Sequence, residues 1–241
     1  MFRTVALCVL VFPLLVKAQS TDSLIVRTAF ANTSNLYEEF ITPNSGIING
    51  FEYREPRLRL GQHPYFGEND WTTGDVHYVG QWYRNANLIY NIASDDLIVE
   101  HPVNGQEIQL IKIKVADFTL YDRWFHNVKP DELAGLPEPG FYEVAHDGPS
   151  RVLIRHHKLY EEKIEQSALV FYYNPKIRFY IMKNGAYVRV YRKRDVLRLF
   201  SDKKSELRAF IRSKNLKITK HTPGAYAAVA AHYDSLKGDQ E

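Results

Sequence analysis

Cysteine is almost absent from this chain, because the only one, Cys8, lies in an apolar stretch near the N-terminus. If that stretch is removed after Ala18, the mature chain has no thiol. The absence excludes a disulfide framework, a thiolate nucleophile and thiolate metal ligands. A lipid-modified cysteine needs a small residue just before it, whereas Leu7 precedes Cys8. The remaining chain is long enough to build a hydrophobic core without disulfides.

Long hydrophobic runs are also missing, apart from the stretch from Thr4 to Val16. Arg3 precedes this run and Lys17-Ala18 follows it, which is the pattern of a secretory signal peptide with its cleavage site. The run is too short to span a bilayer as a helix. We therefore expect a signal peptide at 1–18, an N-terminal arm at 19–45, and an exported mature protein that is not integral to the membrane.

Charge is divided unevenly along the chain. Residues 19–150 carry 9 Lys and Arg against 19 Asp and Glu, whereas residues 151–241 carry 20 against 9. A basic C-terminal face could meet an anionic envelope component such as lipid headgroups or an acidic polymer. Alternatively, the two oppositely charged parts pack together. Export argues against a nucleic-acid partner.

Short strands separated by turns dominate residues 46–192, and the clearest block runs from Trp71 to Tyr121. Asn-Gly is a strong hairpin signal because both turn residues take a positive φ. Tight turns are predicted at Asn49-Gly50, Asn104-Gly105, Asp147–Ser150 and Asn184-Gly185. Such short connections leave no room for crossover helices and predict an antiparallel meander. Residues 129–140, rich in Pro and Gly, are predicted to be a loop and a candidate joint between halves.

Helical periodicity replaces the alternating pattern after residue 192. Ser201 is predicted to cap one helix, and Thr222-Pro223 to start the last one. The apolar stripe of the last helix contains Tyr226, Val229, Ala230, Tyr233 and Leu236. We predict an α+β fold, mainly antiparallel β. Its curved meander or half-barrel-like sheet would carry two or three C-terminal helices, within 193–238, packed on it.

Motifs that would identify a catalytic or metal site are absent from the sequence. The histidines lack the i, i+4 spacing of a zincin, and no G-x-S-x-G elbow or phosphate-binding glycine loop occurs. Glu161, Glu162 and Glu165 form an acidic cluster that a solvated surface explains. We therefore predict no catalytic residue, no metal site and no cofactor.

Aromatic residues are abundant, with 16 Tyr, 13 Phe and 3 Trp. Such rings can stack on sugars or line an acyl-chain cavity, although they are also ordinary strand residues that bury a large area. The candidate binding residues are Trp71, Trp82, Tyr83, Tyr90 and Trp124.

Several short stretches occur in a characteristic order along residues 45–236. They are Asn49-Gly50 with Tyr53, Gly61–Phe66, Trp71–Gly74, Tyr83–Asn85, Leu88–Asn91, Lys183–Tyr187, Lys204–Leu207 and His232–Asp234. In this order the chain resembles a group of exported proteins from Gram-negative bacteria that have no assigned activity. The resemblance implies export, but it assigns no catalytic residue, because none is known for that group. The meander also resembles the open half-barrels of periplasmic lipoprotein carriers, in architecture only.

Three functions stay open at this point. The first is a non-enzymatic cell-envelope protein that binds an apolar ligand, such as an envelope lipid, or a protein partner. The second is a hydrolase of an envelope polymer, which requires a polar cleft with His and a carboxylate in hydrogen-bond reach. The third is a structural or interaction module with an exposed aromatic patch. We expect a periplasmic, outer-membrane-associated or extracellular location, and leave the oligomeric state open.

Overall fold

The computed structural model describes residues 46–47, 49–54, 62–101, 104–165, 168–219 and 221–238. They belong to one of two compact units of the chain, Asn44–Glu241. The predicted signal peptide and N-terminal arm lie outside the described residues.

Eleven strands and three α-helices are formed by the described residues. The strands are β1 (Gly50–Glu52), β2 (Thr72–Tyr78), β3 (Gln81–Asn91), β4 (Asp96–Glu100), β5 (Glu107–Leu110), β6 (Val115–Leu120), β7 (Arg123–Val128), β8 (Gly140–His146), β9 (Val152–Glu165), β10 (Ala168–Lys183) and β11 (Ala186–Val190). The helices are α1 (Lys193–Leu199), α2 (Lys204–Ser213) and α3 (Pro223–Gly238). Short 3-10 turns cover Lys112–Lys114, Pro130–Glu132 and Ser201–Lys203. The predicted α+β class, mainly antiparallel with C-terminal helices, is confirmed.

All strands join one open antiparallel sheet in the order β1-β5-β4-β3-β2-β6-β7-β8-β9-β10-β11. Three strands separate β5 from β6, which in a flat sheet would place them roughly 19 Å apart. Only residues 111–114 connect them, and even a fully extended link of this length reaches roughly 17 Å. The sheet must therefore curve, as predicted, although β6 returns beside β2 rather than continuing the meander.

Of the three predicted Asn-Gly turns, one is confirmed as a tight turn, one lies in the predicted hairpin but in a longer connection, and one is wrong. Asn184-Gly185 is a two-residue turn between β10 and β11, with φ of +52° and +78°. At Asn104-Gly105 only Gly105 has a positive φ, and the connection from Glu100 to Glu107 is six residues long. Asn49-Gly50 is no hairpin, because Gly50 begins the edge strand β1 and pairs with Leu110.

Two tight turns have no Asn-Gly signal. Val79-Gly80 connects β2 to β3, and Tyr121-Asp122 connects β6 to β7, with positive φ at all four residues. A β-branched residue in this conformation is strained. The Val79 amide donates to the Lys114 carbonyl over 3.0 Å. Strand pairing and this tertiary hydrogen bond therefore stabilise a turn that the local sequence disfavours.

Gly185→Val is expected to lower the free energy of unfolding by about 1–3 kcal/mol, because a β-branched residue is strained at a φ of +78°. The matched control is Ala186→Val at the next, exposed position, where we expect a change within about 0.5 kcal/mol. Urea denaturation of both variants measures the difference. Equal midpoints would contradict the requirement for a left-handed residue at this turn.

Aromatic rings fill the inner side of the curved sheet. The buried rings of Tyr90, Phe118, Phe125 and Phe141 contact one another, with centroids 4.7–5.7 Å apart. Phe66, from the segment before β2, packs edge-on against Phe125 at 5.2 Å. We call this side of the sheet the inner face and the opposite side the outer face. Much of the inner face is therefore occupied by the protein's own side chains.

The C-terminal helices pack on the inner face of β8–β11. Tyr226 of α3 stacks on Phe179 with ring centroids 4.2 Å apart, and Tyr233 stacks on Phe200 at 4.0 Å. Pro223 is the first residue of α3, as predicted. The capping role predicted for Ser201 is wrong, because Ser201 begins a 3-10 turn and α2 starts at Lys204.

The predicted loop 129–140 connects the neighbouring strands β7 and β8, and its last residue, Gly140, already begins β8. Leu136 of this loop is buried with Tyr142, Leu153 and Tyr180 in a separate cluster. By strand register these three positions belong to the outer face, so the loop covers part of that face.

Candidate functional site

The five predicted aromatic binding residues do not converge on one site. Tyr83 and Tyr90 are buried on the inner face, whereas Trp82 occupies the outer face and is 45% exposed. Trp124 is also on the outer face, and Trp71 lies partly exposed just before β2. The alternation of side chains along β3 is what separates Trp82 from Tyr83.

A row of polar and aromatic side chains crosses the outer face. The register places Trp82, His77, Asp117 and His126 opposite one another on β3, β2, β6 and β7. His77 stacks on Trp82, with centroids 4.9 Å apart. Asp117 Oδ1 lies 2.8 Å from His126 Nδ1 and accepts a 3.0 Å hydrogen bond from Trp124 Nε1. Each side chain in this row therefore has a partner within it.

Burial raises the pKa of Asp117, but the hydrogen bond and charge of His126 outweigh that effect and hold it below its usual value. Asp117 is consequently ionised, and its carboxylate fixes the positions of His126 and Trp124 through hydrogen bonds. The Trp82 ring is also approached by the Arg84 guanidinium, 4.6 Å from its centroid. These contacts account for the row as a stabilising cross-strand ladder.

A second His–carboxylate pair is buried under Phe66 on the inner face. His156 Nε2 lies 2.6 Å from Glu143 Oε2, and Arg123 donates to Glu143 over 3.0 Å. The Phe66 ring is 4.8 Å from His156. Burial raises the pKa of Glu143, but its bond to His156 and the charges of His156 and Arg123 lower it below the ordinary value. The pair has the distance of a catalytic dyad but is closed off rather than lining a cleft.

A third pair attaches α3 to the end of β8, and the β8–β9 connection contacts the same carboxylate. His146 Nε2 lies 2.8 Å from Asp234 Oδ2, and the Ser150 amide donates to the same carboxylate over 3.1 Å. Both oxygens of Asp234 are thereby engaged in holding the helix. The described residues also hold no group of three or more His, Cys, Asp or Glu placed to bind a metal ion.

Exposed positive charge is concentrated on the segment that runs from the end of β11 through α1. Between residues 189 and 198 there are five cations and one acid. The cations are all exposed, and we call them the basic surface: Arg189, Arg192, Lys193, Arg194 and Arg198. The acid, Asp195, is buried and accepts hydrogen bonds from the Tyr191 amide and Arg198, both over 3.2 Å. The basic surface therefore keeps an excess of positive charge.

An exposed aromatic ring lies within the basic surface. Tyr191 is 60% exposed, and the Arg189 guanidinium lies 4.6 Å from its ring centroid. On α2, Leu207 and Ile211 are buried while Lys204, Arg208 and Arg212 are exposed, which extends the positive charge along the helices. The sequence shows the excess of positive charge in this part of the chain, but the binding residues predicted from the sequence do not include these cations. Five cations within ten positions were the signal that could have identified them.

No protein-family model, curated protein or solved structure matches this chain. In the part of the chain that is described, helices long and apolar enough to cross a membrane do not occur.

Proposed function

We propose that this is an exported, non-enzymatic cell-envelope protein that binds anionic lipid headgroups through the basic surface. One observation carries the proposal: five exposed cations and an exposed tyrosine lie on one short segment, and the only acid of that segment is buried. The resemblance to exported proteins supports the envelope location. The rings that occupy the inner face favour a ligand held at the surface over an apolar molecule held inside the sheet.

The magnitude of this attraction follows from general electrostatics. Each Lys or Arg close to an anionic membrane contributes about 1 kcal/mol, and the effect is screened within a Debye length. Tyrosine adds an amphipathic ring that suits the headgroup region. Five cations are therefore enough for reversible attachment that weakens as salt is added.

Replacing Arg192, Lys193 and Arg194 together by Gln is expected to weaken binding to phosphatidylglycerol-containing vesicles about 100-fold, since roughly 3 kcal/mol is lost. Vesicle co-sedimentation at low and high salt measures it. The matched control, Arg54→Gln with Lys114→Gln and Lys163→Gln, removes the same charge from exposed positions elsewhere. We expect the control to bind like the unaltered protein.

Equal losses in the two triple variants would show that net charge, rather than the basic surface, attracts the protein. Binding to neutral phosphatidylcholine vesicles, unaffected by salt, would contradict the electrostatic mechanism. Failure of the unaltered protein to bind any anionic vesicle would overturn the proposed function and favour a protein partner, the other ligand class expected from the sequence.

The hydrolase alternative has one supporting observation. The His126–Asp117 pair is the most accessible of the three close His–carboxylate pairs, with the imidazole about one quarter exposed. Asp117→Asn would abolish hydrolysis of an envelope polymer if this pair were catalytic. Unchanged turnover, or no turnover by either protein, would leave the ladder with its structural role.

Export predicts that the mature protein starts at or near Gln19. The motivation is Arg3, the apolar run that follows it, and Ala18 at the predicted cleavage site. N-terminal sequencing of the protein recovered from the envelope fraction measures it. Full-length protein retained in the cytoplasm would contradict the envelope location.

A further inference from the structure

We propose that a surface depression lined in part by Arg189 and Arg198 of the basic surface binds a phosphate group, either free or on a lipid headgroup. The inference rests on the proposed function and deepens it by naming the ligand. The depression has a volume of about 690 Å³ and lies where β11, α1 and the end of α3 meet. Its charged lining consists of four cations and two carboxylates: Lys183, Arg189, Arg198, Lys237, Asp195 and Asp202.

Asp202 is already neutralised within the wall of the depression. It accepts a 2.8 Å hydrogen bond from the Tyr233 hydroxyl and lies 3.2 Å from Lys237 Nζ and 3.3 Å from Lys183 Nζ. The slight burial of Asp202 raises its pKa, but these partners outweigh it and lower the pKa to about 2. The carboxylate stays paired at neutral pH and fixes both lysines at the wall.

Lys183 is also fixed by contacts with two aromatic residues. Its ammonium contacts the Tyr233 hydroxyl and lies 4.2 Å from the centroid of that ring and 5.3 Å from that of Phe200. An anchored ammonium loses little conformational entropy when an anion arrives. Lys183 is therefore a preorganised positive charge in the depression.

The two arginines of the depression supply guanidinium N–H donors that can hydrogen-bond the phosphate. Arg198 is 73% exposed at its side chain and gives Asp195 a single 3.2 Å hydrogen bond, which leaves most of its N–H donors available. Arg189 is exposed and its guanidinium lies along the Tyr191 ring. Planar guanidinium groups bind phosphate oxygens through paired N–H donors.

Charge and size both match a phosphate monoester. Four cations against two carboxylates leave an excess of two positive charges, and a phosphate monoester carries about −1.5 to −2 at pH 7. A carboxylate would compensate only half of that excess. The depression is also larger than an inorganic phosphate ion, so a substituent on the ester has room.

The test is a titration of the full mature protein with inorganic phosphate at constant ionic strength, followed by ¹H–¹⁵N NMR. We expect saturable shifts at Arg189, Arg198 and the nearby Asn184 and Ser201, with no such shifts for chloride. Arg189→Gln with Arg198→Gln is expected to weaken phosphate binding at least about tenfold, because charged hydrogen bonds are lost. Arg189→Lys with Arg198→Lys keeps the charge but not the paired donors, and should give an intermediate loss.

The triple variant R192Q/K193Q/R194Q separates this proposal from the proposed function, because those residues do not line the depression. It should lose vesicle binding but keep phosphate binding. R189Q/R198Q removes two cations that belong to both the basic surface and the depression, so it should weaken vesicle binding and phosphate binding together. Absence of vesicle binding by the unaltered protein would overturn only the proposed function. Absence of saturable phosphate shifts in the depression, or shifts that survive R189Q/R198Q unchanged, would overturn the phosphate site.

A competition experiment distinguishes the two sources of phosphate. Vesicles containing phosphatidic acid should displace inorganic phosphate from the depression if the lipid headgroup enters it. Persistence of the inorganic phosphate shifts on those vesicles would assign the site to a soluble phosphate ester, which still supports the phosphate site.

Discussion

Replacing Val229 with Asn and Tyr233 with Ser together is expected to abolish most of the folded population at 25 °C. Val229 is fully buried, and Tyr233 stacks on Phe200 while its hydroxyl donates to Asp202. Large-to-small or polar core changes cost roughly 2–5 kcal/mol each, and the total stability of a protein is about 5–15 kcal/mol. Urea denaturation followed by circular dichroism measures the loss.

The same helix offers a matched control, Ala231→Asn with Ser235→Asn, at two exposed positions of α3. Its unfolding midpoint should stay close to that of the unaltered protein. Truncation after Lys220 should likewise remove the cooperative transition, because it exposes the apolar side chains of β9 and β10 that α3 covers. A truncated chain that melts as a normal cooperative unit would show that α3 is a detachable arm.

Glu143→Ala is expected to lower the free energy of unfolding by about 3–5 kcal/mol, because it leaves His156 buried without its carboxylate. The double variant Glu143→Leu with His156→Leu should recover much of this loss, since it removes both buried polar groups, and Arg123, their third partner, is 39% exposed and reaches water. Urea denaturation of the two variants and of an exposed control, Glu162→Ala, measures the contribution. A loss in Glu143→Ala no larger than in Glu162→Ala would show that the buried pair does not stabilise the fold.

The lowered pKa of Glu143 also predicts a pH dependence. Since its folded-state pKa lies below the ordinary value of 4.5, the stability it contributes is fully present above that value. It is lost as the pH falls from 4.5 through the lowered folded-state pKa. Stability measured over this range should decline less steeply in Glu143→Gln, whose side chain does not titrate. An identical decline in both proteins would assign acid sensitivity to other carboxylates.

The sheet and its helices were predictable because their signals are local. Asn184-Gly185 forms the expected tight turn, and the stripe of Tyr226, Val229 and Tyr233 is buried against the sheet. Asn104-Gly105 lies in the predicted hairpin between β4 and β5, but strand register makes the connection six residues long, and Asn49-Gly50 forms no hairpin. At Asn49-Gly50, pairing of Gly50 with Leu110 takes the second residue into an edge strand.

The candidate site was less predictable. Trp82 and Tyr83 are neighbours in sequence but lie on opposite faces, so aromatic content could not define one binding surface. The cations of residues 189–198 could be counted in the sequence. Their exposure to solvent, however, depends on α1 burying Val196 and Leu197. The pairing of Glu143 with His156 had no sequence signal, because it arises between two neighbouring strands in register.

Composition, periodicity and turn residues by themselves determined the fold class, the helical C-terminus and the excess of positive charge there, because each depends on interactions between residues close in the chain. Tertiary structure alone decided the return of β6 beside β2, the filling of the inner face, and the meeting of Lys183 with Asp202 and Tyr233. These features depend on contacts between residues far apart in sequence. Such contacts form only when side-chain packing, strand register and the pairing of charges are all compatible with the same fold.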